Sequence, residues 1–105
     1  EPDESWCFHE EKEFPDLVLE VALSSGGIPK LEIYRLFEVP EVWLWRKGAL
    51  EIWTLRSDKS RYEGPSRRSR LLRSLDVDGL ERCLELPTWR AARTAFRRKL
   101  RARRR

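Results

Sequence analysis

The chain has 105 residues, of which 38% are charged and 40% hydrophobic, and its formal net charge is +4. A chain of this length can bury one modest core, so we expect one domain at most. Cys7, Cys83 and the single His9 have neither zinc-ligand nor disulfide-framework spacing, which argues against zinc chemistry and a histidine-activated nucleophile. Every apolar run is far shorter than about 18 residues, so we expect a cytoplasmic protein with no membrane span.

The charge is distributed unevenly along the chain. Residues 1–65 carry 8 basic and 14 acidic side chains, a net charge of −6, whereas residues 66–105 carry 14 and 4, a net charge of +10. A basic segment of this strength attracts phosphate backbones at long range. The same composition is also typical of a solvated or frayed terminus, and the sequence leaves both interpretations open.

The first half of the chain predicts strands that alternate with one helix. Residues 5–8 predict a short strand that forms a hairpin with a second, mostly apolar strand at 17–23. Apolar residues recur every three or four positions over 28–37, which predicts a helix with one apolar face. Two aromatic-rich strands, 42–45 and 50–55, flank a glycine-containing turn and predict a second hairpin.

The second half predicts a loop and two helices. Residues 57–69 are polar and rich in glycine, proline and arginine, which is typical of a loop. Residues 76–86 predict a short helix, and a second helix begins at Pro87 with Thr88 as its N-cap. We therefore divide the chain into an α/β core, 1–86, and a basic amphipathic helix with its tail, 87–105. The buried stripe of that helix is predicted to contain Trp89, Ala92, Phe96 and Leu100.

Glu20 is the only charged residue in the predicted strand 17–23, which otherwise reads as buried on both faces. Removing an ionised carboxylate from water costs several kcal/mol, so a buried one pairs with a cation, binds a metal or takes up a proton. An ion pair with an arginine on a less buried strand is the plainest explanation. The sequence leaves this choice open.

Two other residues can approach Glu20. Lys30 lies in the first turn of the helix that follows the strand, and Asp3 begins the neighbouring strand of the hairpin. Ala22 is on the face of Glu20 and is small enough to leave space beside the carboxylate. Two carboxylates can hold Mg²⁺ at a scissile phosphate, while a lysine orients the attacking water and offsets charge. Such a trio is common, so the spacing alone is a weak indication of phosphodiester hydrolysis.

A family resemblance supports the same chemistry. The matching stretches keep their order along nearly the whole chain: residues 1–3, 14–21, 25–35, 39–45, 69–72 and 74–76. Together they resemble the Uma-type family of putative restriction endonucleases, within the PD-(D/E)xK nuclease superfamily. The resemblance implies a restriction-endonuclease-like α/β core, with a mixed β-sheet flanked by helices, and a DNA endonuclease that depends on Mg²⁺ or Mn²⁺.

The resemblance also assigns roles to single residues. It places Asp3 and Glu20 on the metal-binding acids and Lys30 on the catalytic lysine. The chain departs from the superfamily pattern at Ala22, where a lysine normally stands, which implies that the lysine function has moved to the helix. Family members also have N-terminal elements, a helix and at least one strand, that this chain lacks. We therefore expect an N-terminally incomplete fold with an exposed sheet edge, which favours either pairing with another copy, as a homodimer, or aggregation.

The remaining predictions concern partners. Trp43 and Trp45 share one face of their strand and are predicted to be core or interface residues rather than platforms for bases. We expect no small-molecule cofactor. The alternative to an endonuclease is a remnant without catalytic activity that binds nucleic acid or another protein chain. The predicted contacts to DNA phosphates are Arg67, Arg68, Arg70, Arg97, Arg98 and Lys99.

Overall fold

The computed structural model describes residues 4–6, 14–21, 27–46, 48–73 and 76–103. Within these ranges the chain forms five strands and three helices. In chain order they are β1 (Glu4–Trp6), β2 (Leu17–Val21), α1 (Gly27–Leu36), β3 (Glu41–Arg46), β4 (Ala49–Leu55), β5 (Tyr62–Ser66), α2 (Val77–Leu84) and α3 (Trp89–Arg103). The strands form one sheet in the order β1-β2-β3-β4-β5.

The sheet is mixed, which confirms the predicted α/β class. β2 and β3 are parallel and are joined by α1, whereas the other neighbouring strands are antiparallel. A parallel pair needs a crossover of this kind, because a tight turn can only join antiparallel strands. The hairpin predicted from β1 and β2 and the one predicted from β3 and β4 are both confirmed.

A separate hydrophobic cluster packs against each face of the sheet. Leu17 and Leu19 of β2 face α2 and α3, in a cluster that includes Trp43, Leu80 and Phe96. Residues on the opposite face pack under α1, in a cluster of Val18, Leu31, Tyr34, Val39, Val42, Leu44 and Tyr62. A strand that is apolar on both faces therefore lies in the middle of the sheet, as the composition of β2 indicates.

The prediction of a loop over residues 57–69 is wrong, because β5 lies within it. This strand pairs with β4 at the edge of the sheet and contains Gly64 and Pro65, two residues that are rare in central strands. Gly64 has a φ of +147°, and a Cβ atom there would lie 2.7 Å from the carbonyl oxygen of Ile52. β5 therefore depends on a glycine to approach β4 closely.

The two C-terminal helices begin where the sequence predicts. Asp76 caps α2 by accepting a hydrogen bond from the backbone of Gly79, and Thr88 caps α3 by accepting one from Ala91. Phe96 is 1% exposed and packs edge-on against Trp43, so α3 is part of the core. The prediction that Trp89 is buried is wrong, because it is 40% exposed at the start of the helix. The side chain of Leu100 lies outside the described residues. No helix in the described part of the chain is long and apolar enough to cross a membrane.

Candidate active site and basic groove

Glu20 is a buried carboxylate in the middle of the sheet. It lies between β1 and β3, opposite Leu44, and only 2% of its surface is exposed. Its side chain shares the face of Val18, which packs under α1. The structure thus excludes the less buried strand that the sequence left open, and the carboxylate needs a partner inside the fold.

Lys30 supplies that partner. The Nζ atom of Lys30 lies 2.8 Å from Oε2 of Glu20, and the lysine side chain is 51% exposed whereas that of Glu20 is 3% exposed. The contact forms because α1 crosses the face of the sheet that carries Glu20, with Lys30 in its first turn. The ammonium therefore lies between the buried carboxylate and solvent. The prediction that these two residues meet is confirmed; their chemical roles stay a prediction.

A cavity of about 330 Å³ adjoins this pair. Glu20 and Lys30 line it together with mostly apolar side chains of β2, of α1 and of the segments next to them. Phe14 and Phe37 stack across its rim with their ring centroids 4.8 Å apart, and Tyr34 combines a place in the core with a place in the lining. Apolar walls reduce the local dielectric constant, which strengthens the interaction of the two charges with any ligand between them.

The second acid of the predicted metal site, Asp3, lies outside the described residues, as does Ala22. In the described part of the chain, no three acidic, histidine or cysteine side chains come together as a metal site. Glu20 alone fits part of a Mg²⁺ site, because Mg²⁺ binds one or two carboxylates and fills its other positions with water and phosphate oxygens. The β1–β2 register pairs Glu4 with Leu19, the residue before Glu20.

Glu41 is a second buried acid that the sequence interpretation missed. It is 0% exposed, on the face of the sheet opposite Glu20, and it accepts four hydrogen bonds. The donors are the indole of Trp43 at 2.7 Å, the hydroxyl of Ser69, and the backbone amides of Arg70 at 3.0 Å and Leu71 at 3.3 Å. The sequence contained a signal for this role: Glu41 is a charged residue directly before the predicted apolar strand, and a charge buried there needs a partner.

Arg67, in the segment after β5, forms ion pairs within the fold, unlike the neighbouring arginines Arg68 and Arg70 among the described ion pairs. Its guanidinium bonds Glu81 and lies 2.6 Å from Asp78, so it ties this segment to α2. The hydrogen bond from Arg67, assisted by one from the backbone of Leu50, lowers the pKa of the Glu81 carboxyl. A phosphate would have to compete with two carboxylates for this arginine, whose contact with DNA stays a prediction.

The other residues predicted to bind DNA lie in two places. Arg68 and Arg70 are exposed near Arg67, and Arg97 and Arg98 are exposed on α3. Lys99 is half-buried and its Nζ atom lies 3.1 Å from Oδ2 of Asp76, so it joins α3 to the start of α2. The hydrogen bond from the backbone of Gly79, and then that from Lys99, lower the pKa of Asp76.

The predicted tryptophans pack in the two cores, whereas several other large apolar side chains are exposed. Trp43 is fully buried and Trp45 packs against the same core, as predicted, while Trp53 packs on the α1 side. Four large apolar side chains around α1 are between 43% and 68% exposed: Phe14, Ile33, Leu36 and Phe37. They form an apolar surface beside the cavity, and the homodimer stays a prediction.

Comparison with known families gives one match. The model of the Uma2 family, described as putative restriction endonuclease, matches residues 1–89. This range includes Glu20, Lys30, Glu41 and all five strands of the described sheet. No curated protein and no solved structure matches the chain.

Proposed function

The chain belongs to the Uma2 family of putative restriction endonucleases, and from this premise we propose that it hydrolyses phosphodiester bonds in DNA with Mg²⁺ or Mn²⁺. The observation that carries the proposal is the contact between Glu20 and Lys30 beside a cavity. A pocket with mostly apolar walls and a few convergent polar groups is the arrangement in which ligand and active sites are commonly found.

Glu20 contributes a negative charge in a position that water cannot screen. Its carboxylate is held on a central strand, so its direction is fixed by the sheet rather than by a loop. A hard divalent cation bound there would polarise the phosphate and lower the pKa of a bound water. Glu20 is the residue of this chain that would hold the cation from the sheet side.

Lys30 contributes a positive charge that can move. Its side chain is half-exposed, so the ammonium can leave Glu20 and approach a phosphate oxygen while it stays at the same mouth of the cavity. In that position it stabilises the negative charge that develops on the phosphate during the attack of water. It also orients that water by donating a hydrogen bond to it.

Asp3 is proposed as the second acid of this site. Support comes from the position of β1: Glu4, the residue after Asp3 in the sequence, pairs with Leu19, the residue before Glu20. The family pattern assigns the same role to Asp3.

The test is a plasmid-nicking assay in the presence of Mg²⁺ with single isosteric or neutralising variants. We expect Glu20→Gln and Lys30→Gln each to lower the nicking rate by about a hundredfold or more, because each removes charge from the reacting phosphate. Asp3→Asn is expected to behave like Glu20→Gln. A metal titration followed by thermal unfolding gives a second readout: Mg²⁺ should stabilise the wild type but not Glu20→Gln.

Two matched controls lie outside the cavity lining. Glu51 is a partly buried acid that pairs with Arg46 at 3.1 Å, and Lys59 is an exposed lysine that pairs with Glu38. Glu51→Gln and Lys59→Gln remove one charge from an ion pair away from the cavity, so both should keep the wild-type rate. If Glu20→Gln nicks DNA as fast as these controls do, Glu20 is not part of the reaction.

The alternative function is nucleic-acid binding without cleavage. The net charge of +10 over residues 66–105 favours it, since this charge does not depend on Asp3, Glu20 or Lys30. In this case the chain would bind duplex DNA with a steep salt dependence but would leave plasmid intact with either metal. Equal binding by the wild type and Glu20→Gln, with no nicking by either, would support this function over the endonuclease.

A further inference from the structure

A groove of about 470 Å³ lies between the β4–β5 edge of the sheet and the segment that follows β5. Arg68, Arg70 and Arg73 line it together with Thr54 and Glu63. Thr54 and Glu63 form a cross-strand pair on the face of the sheet that carries α2 and α3. The groove is therefore on the opposite face from Glu20 and is separate from the candidate active site.

The charges of these three arginines are not neutralised by the described part of the chain. No carboxylate described in the structure forms an ion pair with Arg68, Arg70 or Arg73. The acid inside the groove, Glu63, lies 3.6 Å from the guanidinium of Arg56. Three exposed guanidinium groups thus share one groove whose only described acid is already paired with another arginine.

Buried hydrogen bonds hold the backbone that carries these arginines. Glu41, which is fully buried, accepts hydrogen bonds from the hydroxyl of Ser69 and from the backbone amides of Arg70 and Leu71. The same hydroxyl accepts one from the amide of Leu72 at 2.9 Å. The segment is therefore ordered before any ligand arrives, which reduces the entropy lost on binding.

We propose that this groove binds a phosphate group of a nucleic-acid strand. Guanidinium groups match phosphate oxygens with paired hydrogen bonds, and several of them around one groove provide more charge than a single phosphodiester needs. The choice of nucleic acid as the source of the phosphate rests on the proposed function. The groove holds the strand without reading its sequence, because contacts to phosphates carry no base information.

The test compares two triple variants with the same change in net charge. In the groove variant, Arg68, Arg70 and Arg73 become glutamine; in the control variant, the exposed residues Arg61, Arg82 and Arg90 become glutamine. Affinity for a fluorescent duplex is measured by anisotropy over a range of salt concentrations. The groove variant should bind about tenfold more weakly at 0.1 M salt, and its log–log salt slope should be shallower by about 1 to 3.

The control variant should keep most of the affinity and slope of the wild type. An equal loss in both variants would show that only net charge matters and would overturn the proposal, as would an unchanged groove variant. Inorganic phosphate is titrated in parallel: if it binds the wild type at micromolar concentration and displaces the duplex, the groove is a site for free phosphate and the nucleic-acid assignment is wrong.

Glu20→Gln separates this proposal from the endonuclease. The variant lacks the acid of the candidate active site but keeps the groove, so its duplex affinity should show the same dependence on the three arginines. Loss of nicking with retained groove binding would support both proposals. Retained nicking with groove binding would refute only the role of Glu20.

Discussion

Replacing Glu41 with glutamine should destabilise the protein severely, although Glu41 lies on the opposite face of the sheet from Glu20. The carboxylate accepts two hydrogen bonds at each oxygen. Glutamine offers one oxygen and one amide group, so in its better orientation the oxygen serves the amides of Arg70 and Leu71. The indole of Trp43 then faces a second donor and loses its bond, while the Ser69 hydroxyl must turn to accept.

The expected loss of unfolding free energy is about 3 kcal/mol. One buried donor left without an acceptor costs about 1–3 kcal/mol, and the bonds that remain are weaker because their acceptor is no longer charged. The total is a large fraction of the stability of about 5–15 kcal/mol that is typical of a small domain. A domain of this size should then melt roughly 10–20 °C lower.

Chemical denaturation of the wild type and Glu41→Gln measures the change in the free energy of global unfolding. Hydrogen exchange reports the local effect: the amides of Arg70 and Leu71 should exchange faster because their acceptor is no longer charged, and the amide of Leu72 because the Ser69 hydroxyl that accepts from it must turn. Glu51→Gln serves as a control, since that acid is partly exposed. A change below about 0.5 kcal/mol with these three amides still protected would refute the assignment of Glu41 as the buried anchor of the segment.

Three further predictions follow from other contacts. Lys30→Met should lower stability by about 1–2 kcal/mol in EDTA, because Glu20 loses its cation, and Mg²⁺ should restore more stability to this variant than it adds to the wild type; equal effects of Mg²⁺ on both would contradict competition between Lys30 and the cation for Glu20. The pKa of Glu81 is lowered by Arg67, so its contribution to stability is complete above its unfolded pKa of about 4.3 and is lost as the pH falls through the lower folded value. The difference in stability between the wild type and Glu81→Gln, about 1 kcal/mol at pH 7, should therefore shrink toward pH 2, and urea titrations that show a constant difference would disprove the pairing. Tyr62→Phe should cost about 1–2 kcal/mol, because the Tyr62 hydroxyl donates to a buried backbone carbonyl at 2.6 Å; an unchanged thermal midpoint would refute this.

The candidate active site was predictable because its signals are local. Glu20 interrupts an apolar run, and Lys30 follows in the next element at a helical position that faces the sheet. Both facts are visible within a short stretch of sequence, and the contact between them follows from the handedness and length of one crossover. The pairing of β3 with β4 was predictable for the same reason, since a glycine turn joins adjacent strands.

The elements that the sequence interpretation missed depend on distant partners. β5 has no alternating pattern, and it becomes a strand because the free edge of β4 offers hydrogen bonds. The donors to Glu41 include the backbone of Arg70, 29 residues away, and backbone groups leave no trace in composition. Arg67 and Arg68 look alike in sequence, but Asp78 and Glu81 on α2 contact only the first of them among the described ion pairs.

The crossover from β2 to α1 has a consequence for folding. Glu20 and Lys30 are ten residues apart and belong to consecutive elements, so a short loop closure brings them together. Local contacts of this kind form faster than contacts between distant segments. The acid and the lysine can therefore meet early in folding. The arginine groove forms only after β5 has paired with β4 and after Ser69 and Arg70, distant in sequence, have reached Glu41.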